Sequence, residues 1–454
     1  MVTGGAVTGG TVTGGTANAG CVRTPPGPEH PSIFGRESEV FRLGAAWGAA
    51  VRGRPSLVLL AGKAGIGKTR VAAETALLAR NTGGAVLWAR CQEGERSLLL
   101  QPFVEAIGDH AAYLAPDVLR RLAGQRAATL AALIPRAASV FGPTPTIPMN
   151  RAVRRHLADQ AVVGVLQALA AHEPVLLLLG DLHHAGSATV RLLRELTRGT
   201  GTRLLVVATV RTPQGDATLE ALADAAVRLD VGPLSPAAVT RWAADAGSAE
   251  FAADLRDRTR GHPLFVLEAL HALATGETAV PESLAAAVLA RVRRVDEDTE
   301  HVLRAAAVLG VTVDRATLAR LVDLPLEVAA GHCEVALSAG LLAPGDDGYE
   351  FTHDLVREVL YETTPEPARA LHHRRAAELL EHLPEAMAAH ATAVGDWVRA
   401  ARGWLLAGED AAHHQATEDA QALLARAVEA ARRAGDATLA TLAQARLRAL
   451  GDGD

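Results

Sequence analysis

Leu59-Leu60-Ala61-Gly62-Lys63-Ala64-Gly65-Ile66-Gly67-Lys68-Thr69-Arg70 fits the pattern G-x-x-x-x-G-K-[ST], with Gly62, Gly67, Lys68 and Thr69 at the required places. The apolar run 56–61 before it reads as a buried strand. Residues 71–80 after it read as a helix, closed by Asn81-Thr82-Gly83-Gly84. Strand, glycine loop and helix in that order make a phosphate-binding loop. Glycines let backbone N–H groups curl around a phosphate without Cβ clashes, and the helix N-terminus adds positive potential. Lys68 is expected to bridge β- and γ-phosphates, and the Thr69 hydroxyl to ligate Mg²⁺. The residues Gly62, Lys63, Ala64, Gly65, Ile66, Gly67, Lys68, Thr69 and Arg70 form the expected nucleotide contact.

Composition supports that assignment. Lys63 and Lys68 are the only two lysines; arginine supplies the rest of the 45 basic residues. A chain that otherwise uses arginine keeps lysine where a compact ammonium is needed, and a guanidinium does not replace it there. The 454 residues are 49% hydrophobic, 21% charged and 3% aromatic, enough for several domains with a helical bias. A net charge of −6 disfavours a surface built to coat nucleic acid. Cys21, Cys91 and Cys333 stand far apart with no C-x-x-C pair, as in reduced thiols rather than a disulfide or zinc framework. No apolar run reaches the ~18 residues of a membrane span, and the N-terminus lacks a secretory pattern. These features predict a cytoplasmic protein without a membrane partner.

Around the loop, strands and helices alternate as in a parallel sheet with crossover helices. Residues 1–31, with Val-Thr-Gly-Gly at positions 2, 7 and 12, read as a disordered tail. A helix is expected over 37–52, a second strand over 85–91, and helices over 102–114, 116–134 and 150–171, with a loop at 142–148. Further strands follow at 175–179, 203–209 and 226–231, with a helix at 188–197. Beyond Gly232-Pro233 the pattern turns helical, with a small lid over 235–278. Residues 279–364 read as three helices, a hairpin closed by Pro344-Gly345-Asp346-Asp347-Gly348, and a last helix: a winged helix. Amphipathic helices over 365–454 suggest paired, TPR-like repeats. The predicted fold is thus an α/β P-loop NTPase core over 32–234, then lid, winged helix and TPR-like helices.

Hydrolysis needs an acid at the end of a neighbouring strand. Asp181, after the 175–179 strand, is the sole acid there, because Gly180 stands where a second would be expected. Asp181 is the candidate catalytic acid and, with Thr69, the candidate metal ligand. Arg211, after the 203–209 strand, sits where ligands bind in open α/β sheets. It reads equally as a phosphate sensor or a solvated loop residue. The pairs His183-His184, His372-His373 and His413-His414 read as packing or solvated residues, since adjacent histidines rarely converge on one ion.

Several segments resemble, in order, the STAND class of signalling ATPases with their AAA-type ATPase module, and especially the large ATP-binding regulators of the LuxR family. Phe34-Gly35-Arg36-Glu37 resembles an "hGRE" motif, and Pro174 to His183 a Walker B strand usually ending in "DDLHWAD". Val210-Arg211 is similar to "YR", Gly261-His262-Pro263-Leu264-Phe265 to "GNPLF", and Phe351-Thr352-His353-Asp354-Leu355-Val356-Arg357-Glu358 to "FRHDLIRE". Leu371 to Ala377 resembles the start of the helical repeats. The resemblance spans roughly residues 33–435. It implies a switch held closed by ADP and released by ATP to self-associate, with Mg²⁺ as cofactor and an unidentified protein partner on the C-terminal helices. It implies nucleotide contacts from Gly35, Arg36 and Arg211, with Pro263 near the adenine and His353 at the β-phosphate. Gly180, His184 and Gly186 depart from the Walker B pattern and predict slow or impaired hydrolysis. The sequence ends before the family's C-terminal helix-turn-helix, so direct DNA binding is not expected from these residues. Two other readings stand beside the switch. One is a DNA-binding transcription regulator acting through the winged helix or a further C-terminal domain; the other is a P-loop kinase or transferase, for which no acceptor-activating carboxylate lies near the loop.

Overall fold

The computed structural model describes residues 33–92, 100–112, 114–134, 151–198, 200–345, 348–413 and 416–451. The N-terminal tail and the 142–148 loop expected from the sequence lie outside them. Helix α1 (Glu37–Val51) leads into β1 (Ser56–Gly62), and α2 (Lys68–Asn81) leads to β2 (Ala85–Arg90). Then come α3 (Gln101–Ala111), α4 (Pro116–Ala123), α5 (Ala127–Leu133) and α6 (Arg151–His172). The core closes with β3 (Val175–Gly180), α7 (Ser187–Leu196), β4 (Leu204–Arg211), α8 (Asp216–Ala221) and β5 (Val227–Asp230). The single helix expected over 116–134 is two, because Gly124 (φ +51°) interrupts it and a short 3₁₀ turn follows.

The five strands are parallel, in the order β2-β3-β4-β1-β5. The apolar runs of β1, β3 and β4 follow from burial on both faces, whereas β2 alternates and β5 is largely exposed. Leu57 and Leu59 of β1 join Phe103, Leu166 and Leu192 on one side, while Val58 and Leu60 join Leu43, Trp47 and Val71 on the other. Strand β4 inserts between β1 and β3, with Gly62 opposite Arg211 and Leu179 opposite Ala208. Arg90 lies opposite Gly180 across β2 and β3. One edge of the sheet therefore carries the ends of four strands together.

After the sheet, α9 (Pro236–Asp245), α10 (Ala252–Thr259) and α11 (Pro263–Ala274) share a small core built on Leu234, Val239, Leu255 and Phe265. Ser235 caps α9 by accepting from the Ala238 N–H at 3.2 Å. The next core gathers α12 (Leu284–Val292), α13 (Glu297–Leu309), β6 (Thr312–Asp314), α14 (Arg315–Val322), α15 (Leu326–Ser338), β7 (Leu342–Pro344), β8 (Gly348–Phe351) and α16 (Asp354–Thr363). Its antiparallel sheet has three strands, β6-β8-β7, where the sequence predicts a two-stranded hairpin. Thr312-Val313-Asp314 is too short to show a strand period; pairing of Val313 with Tyr349 defines it.

The last five helices are α17 (Glu366–Leu379), α18 (Pro384–Ala393), α19 (Trp397–His413), α20 (Thr417–Arg433) and α21 (Ala437–Gly451). Alanine permits close helix approach, and two glycines of α19 are needed for it: a Cβ at Gly403 would lie 2.7 Å from the Pro384 oxygen, and one at Gly408 2.7 Å from Leu424 Cγ. At the junction with α16, His373 lies 2.9 Å from the Tyr361 hydroxyl and 2.8 Å from His390 Nδ1. Burial pushes His372, His373 and His390 down to about 4, so these histidines are neutral interior groups at neutral pH. No helix among the described residues is long and apolar enough to cross a membrane.

Candidate nucleotide site

The loop after β1 has the shape its sequence predicts. Gly65 (φ +66°) and Gly67 (φ +94°) adopt left-handed conformations that side chains rarely take, turning the chain so that α2 starts at Lys68. A Cβ at Gly62 would lie 2.6 Å from the Val231 oxygen, whereas one at Gly67 would meet nothing within 4 Å. The loop is thus tight behind and open in front. Lys68 Nζ donates to the Gly62 and Lys63 carbonyls, both at 2.8 Å. Burial pulls its ammonium down to about 8, with Asp181 and Asp354 opposing and Arg211 adding to the fall. A cradle of this form, with a buried ammonium, fits a nucleotide phosphate. Thr69 and Lys63 are exposed, and Arg70 pairs with Glu74 on α2.

The N-terminal motif braces this loop from behind. Arg36, 4% exposed, donates to the Ile66 carbonyl at 2.8 Å, to the Gly232 carbonyl at 2.7 Å and to Glu39 at 3.0 Å. Three segments far apart in sequence meet on one guanidinium, whose fixed fork suits that task. Gly35 (φ +64°) lets the chain pass α9, where a Cβ would lie 2.5 Å from Ala238 Cβ. Phe34 stacks on Trp242 of α9 with centroids 5.7 Å apart.

Two helices from the C-terminal half pack against the loop at Ala64 and Gly65, leaving Gly67 open. His262 Nε2 lies 3.0 Å from the Ala64 oxygen, and the Leu264 N–H donates to the Gly65 oxygen at 3.3 Å. Pro263 therefore starts α11 directly beside the loop, where a missing N–H costs nothing. Leu355 of α16 reaches the same glycine: a Cβ at Gly65 would lie 2.7 Å from Leu355 Cδ1.

The edge of the sheet holds a network of charges. Asp181, left-handed at φ +51°, donates its N–H to the Thr209 hydroxyl at 2.9 Å. Its carboxylate accepts from Arg90 Nε at 2.8 Å. Arg90 Nη2 donates to Asp354 at 2.8 Å, and Arg211 donates to both Asp354 and, at 2.6 Å, Glu358. Burial pushes the Asp354 carboxyl up, but Arg90 and Arg211 outweigh it and hold it below the usual range. Burial likewise disfavours charge on Arg90, and Asp354 and Asp181 more than offset it.

Arg211 is therefore no solvated loop residue: it is 14% exposed and doubly paired. His353, the residue before α16, is half-buried, and the groups that follow it, Asp354 and Glu358, make the ion pairs to the sheet. Sequence reasoning missed Arg90 altogether. Asp354 and Glu358 stood in a quoted motif with the i, i+4 spacing of one helix face, the only signal available for them. Gly180 has a local reason: a Cβ there would lie 3.0 Å from Trp88 Cη2 and 3.3 Å from Arg90 Cγ. Among the described residues, no three His, Cys, Asp or Glu side chains cluster as a metal centre.

Residues 32–208 match the AAA ATPase domain family, and the glycine loop between β1 and α2 lies within that match. An uncharacterised protein of Rhizobium meliloti is 26% identical across 87% of this chain. The chain spans 42% of that relative's length. Among solved structures, a Signal Transduction ATPase with Numerous Domains (STAND) protein with a tetratricopeptide repeat sensor, from Pyrococcus horikoshii, is similar over 95% of this chain and 66% of its own, at 14% identity and TM-score 0.48. A Walker-type ATPase of Pyrococcus abyssi (74% of this chain, 98% of its own, 16% identity, TM-score 0.37) and Cdc6p of Pyrobaculum aerophilum (74%, 98%, 13%, 0.33) are also similar.

Proposed function

We propose that this chain is a STAND-type, nucleotide-dependent molecular switch, closed with ADP and opened by ATP, that hydrolyses slowly. The observation carrying this reading is the pairing of Asp354 and Glu358 with Arg211, beside the phosphate loop. A guanidinium at the end of β4 suits a terminal phosphate, and two carboxylates from α16 already occupy it. A triphosphate would compete for the same donors and release α16. Lys68 would exchange two carbonyl partners for phosphate oxygens, while Thr69 and Asp181 supply hard oxygen donors for Mg²⁺. Bound Mg²⁺ would neutralise phosphate charge; the chain's own residues orient the nucleotide and bury it under α11.

In this reading residues 279–364 are a winged helix that serves closure, and the helices from 365 onward are TPR-like and engage a protein partner. The collinear motifs support a place near the ATP-binding regulators of the LuxR family, in cytoplasmic signalling or transcriptional control. Pro263 beside the loop supports its assignment near the adenine, and His353, next to Asp354, supports its assignment near the β-phosphate. The net charge of −6 gives no support to DNA contact through these residues.

The test is the mass and radius of the full chain with ADP and with ATP, by light scattering and small-angle scattering. Compact monomers with ADP and expanded assemblies with ATP are expected. A chain that binds neither nucleotide, or stays equally compact with both, sinks the switch.

A further inference from the structure

Arg90 ends β2 and uses both sides of its guanidinium. Nε donates to Asp181 Oδ2 and Nη2 to Asp354 Oδ1, each at 2.8 Å. One residue thus joins the acid at the end of β3 to the first residue of α16. The neighbouring position cannot supply a substitute acid without movement, because Trp88 and Arg90 crowd Gly180. Asp181 is therefore the carboxylate at the end of β3 on which a cation would depend. A carboxylate and a hydroxyl are donors of the kind Mg²⁺ takes, with phosphate and water completing its shell.

Building on the nucleotide-switch reading, we infer that Arg90 masks Asp181 in the closed arrangement, so that metal binding and the α16 clasp oppose one another. The competition is direct. A guanidinium and a hard dication seek the same oxygen lone pairs and the same negative charge. A dication at Asp181 also repels the guanidinium beside it, and Arg90 cannot retreat without disturbing its bond to Asp354. Linkage makes the effect reciprocal: the factor by which metal weakens the clasp is the factor by which the clasp weakens metal. Nucleotide without metal would leave the Arg90 bridge standing, and the metal would be what dissolves it. Arg90 is a positioning residue here, acting on the nucleotide site through Asp181.

Mn²⁺ titrated into the full chain at saturating ADP, with free Mn²⁺ read by electron paramagnetic resonance, tests this without reference to turnover. Arg90→Gln should tighten Mn²⁺ by about tenfold, within the 5–150-fold range of typical coupling. Asp354→Asn, which loosens the other arm, should tighten it by about threefold. Unchanged or weaker Mn²⁺ binding in Arg90→Gln overturns the masking. If Arg90→Gln loses its cooperative melting transition, Asp354→Asn decides in the same way. Lys68→Ala separates the two ideas. Retained ADP binding in that variant defeats the nucleotide site itself, whereas lost ADP binding with no Arg90 effect defeats the masking alone.

Discussion

The phosphate loop and the charge network at the strand ends are neighbours, yet they are built on opposite plans. The loop is local: eight consecutive residues, Gly62 to Thr69, hold every group needed to cradle a phosphate, and Lys68 bonds to carbonyls five and six residues before it. The network is remote, since Arg90 meets Asp354 across 264 positions and Arg211 meets Glu358 across 147. A local site survives movement of the domains around it. A remote one exists only while they are docked. In the proposed switch, that difference would let one bind a ligand and the other report it.

The largest test of the contrast is Lys68→Ala. Nucleotide affinity should fall at least a hundredfold, about 3 kcal/mol, with the far-ultraviolet circular dichroism unchanged. Retained affinity would break the local half of the comparison.

Next in size is Asp354→Ala combined with Glu358→Ala. Breaking a fully buried ion pair costs about 3–5 kcal/mol, and these partly exposed carboxylates should cost about 2 kcal/mol. The outcome to look for is faster proteolysis between the sheet and α16, while phosphate-loop affinity for nucleotide remains measurable. Unchanged proteolysis would mean that apolar docking, such as Leu355 on Gly65, holds the closed form alone.

Gly180→Asp restores the missing acid but drives atoms into Trp88 and Arg90. Overpacking of this kind costs about 1–3 kcal/mol, so the melting temperature should drop. If the absent acid limits hydrolysis, ATP turnover rises despite the lost stability; an unchanged rate would assign the slow step to opening.

The smallest effect is a pH dependence. The Lys68 ammonium lies at about 8 in the free chain, and a phosphate would raise it. Its charge is present below pH 8 and lost as pH climbs through that value, so nucleotide affinity should fall about tenfold by pH 9. Calorimetry in buffers of different ionisation enthalpy should register proton uptake on binding at pH 8–9. Binding that ignores buffer would place Lys68 outside the phosphate contact.

How far the sequence could be read follows this same division. The strands β1, β3 and β4 were legible because burial on both faces demands unbroken apolar runs. The phosphate loop was legible because its chemistry is consecutive. The positions of Asp181 and Arg211 at strand ends were legible, though the sequence left Arg211 divided between two roles. Strand β6 escaped because three residues carry no period. Arg90 escaped because nothing in Trp88-Ala89-Arg90 distinguishes a buried bridge from an ordinary strand end.

By itself, the sequence determined a parallel α/β core, a glycine-rich P-loop leading into Lys68, and a helical second half. Those are consequences of period, backbone freedom and side-chain type, which neighbours along the chain express. Only tertiary structure decided that β4 separates β1 from β3, that Trp88 crowds Gly180, and that Arg90 and Arg211 spend their charge on Asp354 and Glu358. Ion pairs and close packing depend on distance in space. No spacing along the chain sets the separation of Arg90 from Asp354; the docking of α16 on the sheet does.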